Sequence, residues 1–469
     1  MSHWLLDGIA ERRRAALKAA DKAQVYRELL STEAETDYDL IRNVADALEL
    51  ASLDLILERF EEDEEKEKLF RAAARDAFRL SKSLPAADIP LQEGMALLRA
   101  SCLAVLGDRG SDAARWLRAL EDSGTWPELP FESENWGERT WATIIDVWLR
   151  LIRKRGWTDR DLVLQRIASL RESQSEFEKT YLDGIPAQSA KATALELIGL
   201  YHLAKAADIL AHFITDGVVE GNHQVQQLLD THFDRALAAC EPARLIELEP
   251  MTRLLAAASA QLVNNSIWTV TRAVNSRVTQ FVRTLVSRGR GDKAIFDVLP
   301  PQRRTLAEKG LLGSSRRAVV VSLPTSSGKT LIAQFRILQA LNQFDDPGSE
   351  GWVAYLAPTR ALVNQVTRQL RRDFKPLGIV VERVSPALEV DGVEMELLTE
   401  TETDSKFRVL VTTPEKLDLM LRQGWESKIG RPLTLVIVDE AHNLASSRRG
   451  LKLELLLANI NKECEYAQF

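Results

Sequence analysis

Cysteine, histidine and an excess of positive charge are all scarce in this chain. Its three cysteines, Cys102, Cys240 and Cys464, are scattered over 469 residues with no metal-ligand spacing. That excludes a thiolate cluster motif and fits a reducing cytoplasm. The six histidines form no ligand motif either; His223 and His232 fall in a helical region with no Cys or carboxylate pattern around them, so no metal site is expected there. Asp and Glu outnumber Lys and Arg by 68 to 61, for a net charge of −7. An acidic whole argues against indiscriminate coating of nucleic acid and leaves room for a local basic channel. No secretory signal is read at the start, where MSHWLLDGIAERRRAALKAA has the pattern of an amphipathic helix. The most apolar long stretch, Leu195 to Ile214, is broken by His202, Lys205, Asp208 and His212, which argues against a membrane span. The expectation is a soluble protein of at least two domains, and the Ala/Arg-rich composition is compatible with a bacterial cytoplasm.

Strand signal is nearly absent from Met1 to about Val286. This part is rich in Ala, Leu, Glu and Arg, and helical periodicity recurs, as in Leu197, Leu200, Tyr201, Ala204 and Ala211. Breaks fall at RLSKSLPAADIP, WPELPFESENWG, YLDGIPAQ and TDGVVEGNH. Stacked helical pairs are expected, arranged as an irregular α-solenoid without a fixed repeat. Trp116, Trp126, Trp136, Trp141, Trp148 and Trp157 cluster here. Buried anchors between helices are the commoner fate; an exposed partner-binding surface is the alternative. The run FEEDEEKEK, Phe60 to Lys68, reads as a solvated helix face or loop, and the Gly-punctuated SRGRGDK, Ser287 to Lys293, as a linker.

Beyond the linker the pattern changes. In VVVSLPTSSGKTLIAQF, Val319 to Phe335, a β-branched run from Ala318 to Leu323 predicts a buried strand. Pro324, Thr325, Ser326, Ser327 and Gly328 cannot continue it, and Thr330 onward predicts a helix with Leu331, Phe335 and Leu338 on one face. Strand, tight loop and helix start gather free N–H groups around a concavity suited to phosphate. Lys329 would reach the β- and γ-phosphates of a nucleotide, and the Thr330 hydroxyl would ligate Mg²⁺. Leu323 stands where the first glycine of the usual phosphate-loop pattern should be. A second strand in LTLVIVDEAHNL, Leu433 to Leu444, ends in Asp439 and Glu440. A carboxylate at the end of a buried strand is placed to face a ligand: Asp439 would hold Mg²⁺ through its water shell, and Glu440 would orient and deprotonate an attacking water.

YLAPTRALVNQ (Tyr355 to Gln365) and VLVTTPEKLD (Val409 to Asp418) each follow a predicted strand. With LPTSSGKT and DEAH, and in the same order, they resemble motifs I, Ia, Ib and II of superfamily-two nucleic-acid helicases. The superkiller-type DExH group is the most similar, and it tolerates a non-glycine where Leu323 stands. The resemblance implies that ATP and Mg²⁺ bind at the phosphate loop. It implies that Pro358, Thr359 and Arg360, and Thr412, Thr413, Pro414 and Glu415, grip the phosphate backbone of single-stranded or partly duplex DNA or RNA. The residue chemistry agrees: Pro414 suits a first helical turn, Thr413 a cap before it, and Arg360 adds a fixed charge. FDVLPPQRRTL, Phe296 to Leu306, resembles the adenine-reading segment ahead of motif I, which assigns adenine to Gln302 and a packing role to Phe296. His442 is implied to couple the γ-phosphate site to the nucleic-acid motifs.

The expected fold class is α + α/β: a helical region over 1–286, a linker over 287–293, and a RecA-like parallel α/β domain over 294–469. Neither a Ser-Ala-Thr motif nor a second RecA-like domain with its arginines follows Glu440, so these residues alone are expected to hydrolyse ATP very slowly. The ending NKECEYAQF looks cut before a further strand. The acidic stretch Ala387 to Lys406 predicts a surface hairpin or loop. The functional expectation is an ATP-driven helicase or translocase whose helical region regulates the motor or recruits a protein partner such as a nuclease. In that layout it resembles the helicase subunit of bacterial anti-phage Hachiman systems. The alternative is an ATP-sensing scaffold that binds a partner without unwinding.

Overall fold

The structure is a computed structural model that describes residues 3–27, 35–180, 187–219, 224–271, 275–288, 294–308, 310–313, 316–324, 328–343, 350–383, 408–422, 424, 431–445 and 449–469. The expectations for His223, for the acidic stretch 387–406 and for most of the linker fall outside these residues. The chain divides into two compact units: Met1–Thr269 with Arg288–Asp297, and Val270–Ser287 with Val298–Phe469.

The regular structure among the first unit's described residues is helical, apart from an isolated bridge between Ser266 and Asp297. Three of its helices start where a short polar side chain satisfies a free N–H. Asp37 accepts from Leu40 N at 2.9 Å ahead of the helix Tyr38–Leu57, and Asp63 accepts from Glu65 N at 2.8 Å ahead of Glu64–Ser83. The first of these buries Ile41, Val44, Ala45, Leu48, Ser52 and Leu55 on one stripe. Consecutive helices then pack as pairs, Tyr38–Leu57 on Glu64–Ser83 and Ala187–Asp216 on Val225–Ala243. The acidic run that begins at Phe60 supplies Glu64, Glu65 and Glu67 to a first helical turn, where carboxylates favour the helix dipole, while Phe60 itself is buried against Phe70.

The tryptophans separate into two groups. Trp141 and Trp148 are core residues. Trp126, Trp136 and Trp157 are half-buried beneath the guanidinium groups of Arg153, Arg139 and Arg160. One helix among the described residues, Ala190–Asp216, has the length and apolar composition to cross a bilayer. Here it is packed against its neighbours, and its Asp208 accepts from Arg171 at 2.6 Å.

The second unit is built on a parallel sheet: β1 (Trp352–Leu356), β2 (Val381–Arg383), β3 (Val409–Thr412) and β4 (Leu433–Val438), in the order β2-β3-β1-β4. On one face Trp352, Ala354, Leu356, Leu410 and Val436 pack on Leu453, Leu456 and Ile460 of the helix Arg449–Glu463 and on Leu417 and Met420 of the helix Pro414–Arg422. Elsewhere in the unit three aromatic rings meet edge to face: Phe281 lies 5.5 Å from Phe335 and 5.7 Å from Phe374. Phe281 belongs to the helix Ser276–Val286, so this helix is part of the second unit's core although it precedes the linker in sequence.

The predicted strand from Ala318 to Leu323 is not formed. Val320 is 90% exposed, and no ladder is assigned to the segment. Among the described residues it is tied toward the sheet through Phe469: Val319 N donates to Phe469 O at 2.9 Å and Phe469 N to Arg317 O. Gln468 is in turn bridged to β4, donating to Thr434 O and accepting from Val436 N. The β-branched run is extended, but its neighbour is a two-residue stretch, too short to make a ladder along it.

Candidate functional site

In an all-parallel sheet every strand points the same way, so the residues that follow the strands gather on one edge. Register sets their heights. Leu356 is opposite Thr412 on one side and Val438 on the other. The residues next in line, Pro358 to Arg360, Thr413 to Glu415, and Asp439 with Glu440, therefore emerge together.

At the end of β4 the backbone N–H of Asp439 donates to Leu356 O at 2.9 Å, locking the turn to β1. The Asp439 carboxylate takes one bond on each oxygen: Tyr355 Oη donates to Oδ2 at 3.1 Å, and Glu440 N donates to Oδ1 at 2.9 Å. Tyr355 is 2% exposed. Burial, reinforced by the neighbouring Asp439 charge, pushes its phenol well above the usual range, so it stays a donor. Glu440 has φ of +54°, a left-handed conformation that costs a non-glycine residue of order 1 kcal/mol or more. That turn takes the chain sharply off the strand. His442, expected to face the nucleic-acid motifs, has its Nδ1 3.2 Å from Glu440 Oε2 and is largely exposed.

At the end of β1, Thr359 caps the helix Arg360–Phe374, its hydroxyl accepting from Leu362 N at 3.3 Å. Arg360 is exposed in the first turn. At the end of β3, Pro414 opens the helix Pro414–Arg422, and Thr413 O accepts from Lys416 N and Leu417 N. Thr412 is a buried strand residue, 1% exposed, with its hydroxyl 3.5 Å from Thr413 O. It supports the edge from within the sheet. A cleft of about 600 Å³ opens beside the edge, lined by Pro358, Pro414, Glu415 and Asp439 with Lys416, Arg422, Arg449 and Lys452. Residues from three of the four predicted motifs thus meet in one concavity; Lys329 and Thr330 do not line it.

The phosphate loop meets the Gln302 segment instead. Pro300 and Pro301 open a short helix whose third residue, Gln302, accepts from Leu299 N at 2.9 Å. Its Nε2 donates to Gly328 O at 3.3 Å. Gly328 has φ of +71°, and a Cβ there would overlap the Gln302 amide. Only glycine satisfies both conditions. Lys329 and Thr330 follow as the first residues of the helix Lys329–Gln343, one residue earlier than predicted and half-buried. Pro324 is exposed; Thr325, Ser326 and Ser327 lie outside the described residues. Phe296, expected beside the base, is instead buried in the first unit, where Ile267 N donates to its carbonyl and its side chain shares a small pocket with Ala211 and Ile214. An aromatic ring next to Asp297, whose carboxylate pairs with Lys154, serves that unit's core.

Residues 300–469 match the DEAD/DEAH box helicase family. Among curated proteins, the chain is 32% identical over 154 residues to the DExH-box ATP-dependent RNA helicase DExH14 of Arabidopsis thaliana, covering 32% of this chain and 7% of that protein. It is 29% identical over 174 residues to the ATP-dependent DNA helicase Hel308 of Methanococcus vannielii, covering 36% and 21%. It is also 29% identical over 156 residues to the ATP-dependent DNA helicase MER3 of Saccharomyces cerevisiae, covering 33% and 12%. The chain therefore spans about a fifth or less of the length of these relatives. Residues 300–469 are thus similar to the DEAD/DEAH box helicase family.

Two features of this domain carry no sequence signal of their own type. Tyr355 sits in a run of apolar strand residues, where an aromatic ring reads as core; its position three residues ahead of Pro358 was the available signal. Arg449 and Lys452 lie beyond the DEAH motif with no pattern of their own, and only the packing of their helix on the sheet brings them to the cleft.

Proposed function

We propose that this protein is an ATP-driven helicase or translocase that moves along one strand of nucleic acid, with residues 300–469 as its first motor domain. The observation that carries the reading is the convergence of Asp439, Pro358, Pro414 and Glu415 on one sheet edge, with Gln302 bonded to the phosphate loop at Gly328. Lys329, the first residue of its helix, would hold the β- and γ-phosphates when a nucleotide binds.

Mg²⁺ fits the donors present. Thr330 and Asp439 offer a hydroxyl and a carboxylate, hard oxygens of the kind this cation takes one or two of while keeping water and phosphate ligands. When bound, it neutralises charge on the phosphates. Both oxygens of Asp439 already hold a fixed donor, so the carboxylate is oriented in advance. Glu440 would position and deprotonate the water that attacks the γ-phosphorus, and His442 Nδ1 lies 3.2 Å from its carboxylate. Thr359, Arg360, Thr413 and the helix start at Pro414 grip successive phosphates, which carries no base preference.

In the same reading the helical unit regulates the motor or recruits a protein partner. Exposed Trp4, Leu50 and Leu57 on its first helices offer such a partner apolar contact. The test is ATP hydrolysis by the full-length gene product, with and without single-stranded DNA and RNA, beside Lys329→Ala. Stimulation by one of the strands, abolished in the variant with partner binding retained, supports the motor. Hydrolysis unchanged by Lys329→Ala removes the assignment.

A further inference from the structure

We infer that Tyr355 is a positioning residue that holds the Asp439 carboxylate in the orientation needed for the magnesium ion, an inference that rests on the nucleotide-binding reading above. Tyr355 lies on β1, and its side chain reaches the end of β4. Its hydroxyl donates to Asp439 Oδ2 at 3.1 Å, while the opposite oxygen accepts from Glu440 N at 2.9 Å. A carboxylate on a single-bonded stem rotates freely unless both oxygens are held; here one donor comes from β1 and the other from the turn that follows β4.

Neither donor can drift. The Glu440 N–H is fixed by the left-handed turn at +54°, and Asp439 N is tied to Leu356 O at 2.9 Å. Tyr355 is 2% exposed, and its strand is paired on both sides, Tyr355 standing opposite Val411 and Ile437. A buried hydroxyl with a charged acceptor makes a stronger hydrogen bond than a neutral pair. The phenol adds no negative charge, so it directs the acid without competing for the cation.

The arrangement has a second consequence. Ala357 N donates to Thr412 O at 3.0 Å, and Thr359 begins the helix just beyond. The short segment between Tyr355 and Arg360 therefore runs from the metal-holding acid to the predicted phosphate-gripping turn.

Tyr355→Phe keeps the ring and deletes the donor. The test is titration of the 469-residue chain with a fluorescent, non-hydrolysable ATP analogue, in EDTA and over a range of Mg²⁺. Partners that orient a metal ligand typically change metal affinity by about 10- to 100-fold. The expected result is unchanged analogue affinity in EDTA and about 10- to 100-fold more Mg²⁺ needed to reach the tight state. In an Asp439→Asn background, Tyr355→Phe should then have no further effect. An unchanged Mg²⁺ requirement in Tyr355→Phe, with the wild type showing Mg²⁺-dependent binding, overturns the inference alone. An effect of equal size in the Asp439→Asn background also overturns it, because the tyrosine would then act through the fold. A wild type without Mg²⁺-dependent binding overturns the nucleotide-site reading itself.

Discussion

Gln302 donates from its side-chain amide to the carbonyl oxygen of Gly328, joining the segment ahead of the phosphate loop to the loop's last residue at 3.3 Å. The two residues are far apart in sequence and depend on each other in space. Gly328 takes φ of +71° and leaves no room for a Cβ beside that amide.

Gly328→Ala is therefore expected to fail twice. The left-handed conformation costs an L-residue roughly 1–2 kcal/mol, and the new methyl displaces the Gln302 amide. Nucleotide affinity should fall at least about tenfold, equivalent to about 1.4 kcal/mol, and the melting temperature should drop. Differential scanning fluorimetry with and without the ATP analogue checks both. A variant that is stabilised by the analogue as strongly as the wild type would show that the loop does not need this glycine.

How far the sequence could be read depends on what each residue's neighbours had to be. Strand β4 and Asp439 were legible because an aliphatic run ending in two carboxylates has few other uses. Pro414 was legible because its ring fits only a first helical turn. The segment from Ala318 to Leu323 misled for the opposite reason: Val319, Val320 and Val321 favour extended backbone, but a strand also needs a partner, and the partner it meets is Gln468 with Phe469. Helical periodicity announced the helix Ser276–Val286 without saying which core it joins; Phe281 settles that by packing on Phe335 and Phe374. Phe296 shows the same limit, since a motif-like position does not reveal which unit buries the ring.

The first unit hides an ionic network whose disruption should be costly. Asp159 accepts from Arg153 Nη2 at 2.5 Å, from Arg153 Nε at 3.0 Å and from Arg155 N at 2.6 Å, and both side chains of the pair are almost wholly buried. Asp159→Ala leaves the buried Arg153 charge with Glu121, 2.6 Å away, as its remaining carboxylate partner, so the expected loss is about 3 kcal/mol, the low end for a broken buried pair. Urea unfolding of the full chain measures it. A loss under about 1 kcal/mol, the scale of a surface pair, would mean that water reaches Arg153.

Acid should weaken the same unit through a histidine pair. His202 Nδ1 and His232 Nδ1 are 3.0 Å apart, a contact that needs one of the two nitrogens unprotonated. Burial, with Arg235 nearby, lowers both below the ordinary value of 6.5, and His202 and Lys205 add to the shift at His232. In the window between the lowered folded values and 6.5 the unfolded chain binds more protons, so stability rises with pH there. It is full above about pH 6.5, the unfolded value, and is lost as pH falls through the folded values. Melting temperatures from pH 7.5 downward should show this slope, and His232→Gln should flatten it. An equal slope in the variant would place the acid sensitivity elsewhere.

The most direct measurement is the affinity of the 469-residue chain for a fluorescent, non-hydrolysable ATP analogue in the presence of Mg²⁺, compared with Lys329→Ala. Saturable binding that weakens by at least about tenfold, about 1.4 kcal/mol, in the variant is the predicted result. Equal affinity in the two proteins, or none in either, would contradict a nucleotide site at the Gly328-Lys329-Thr330 helix start.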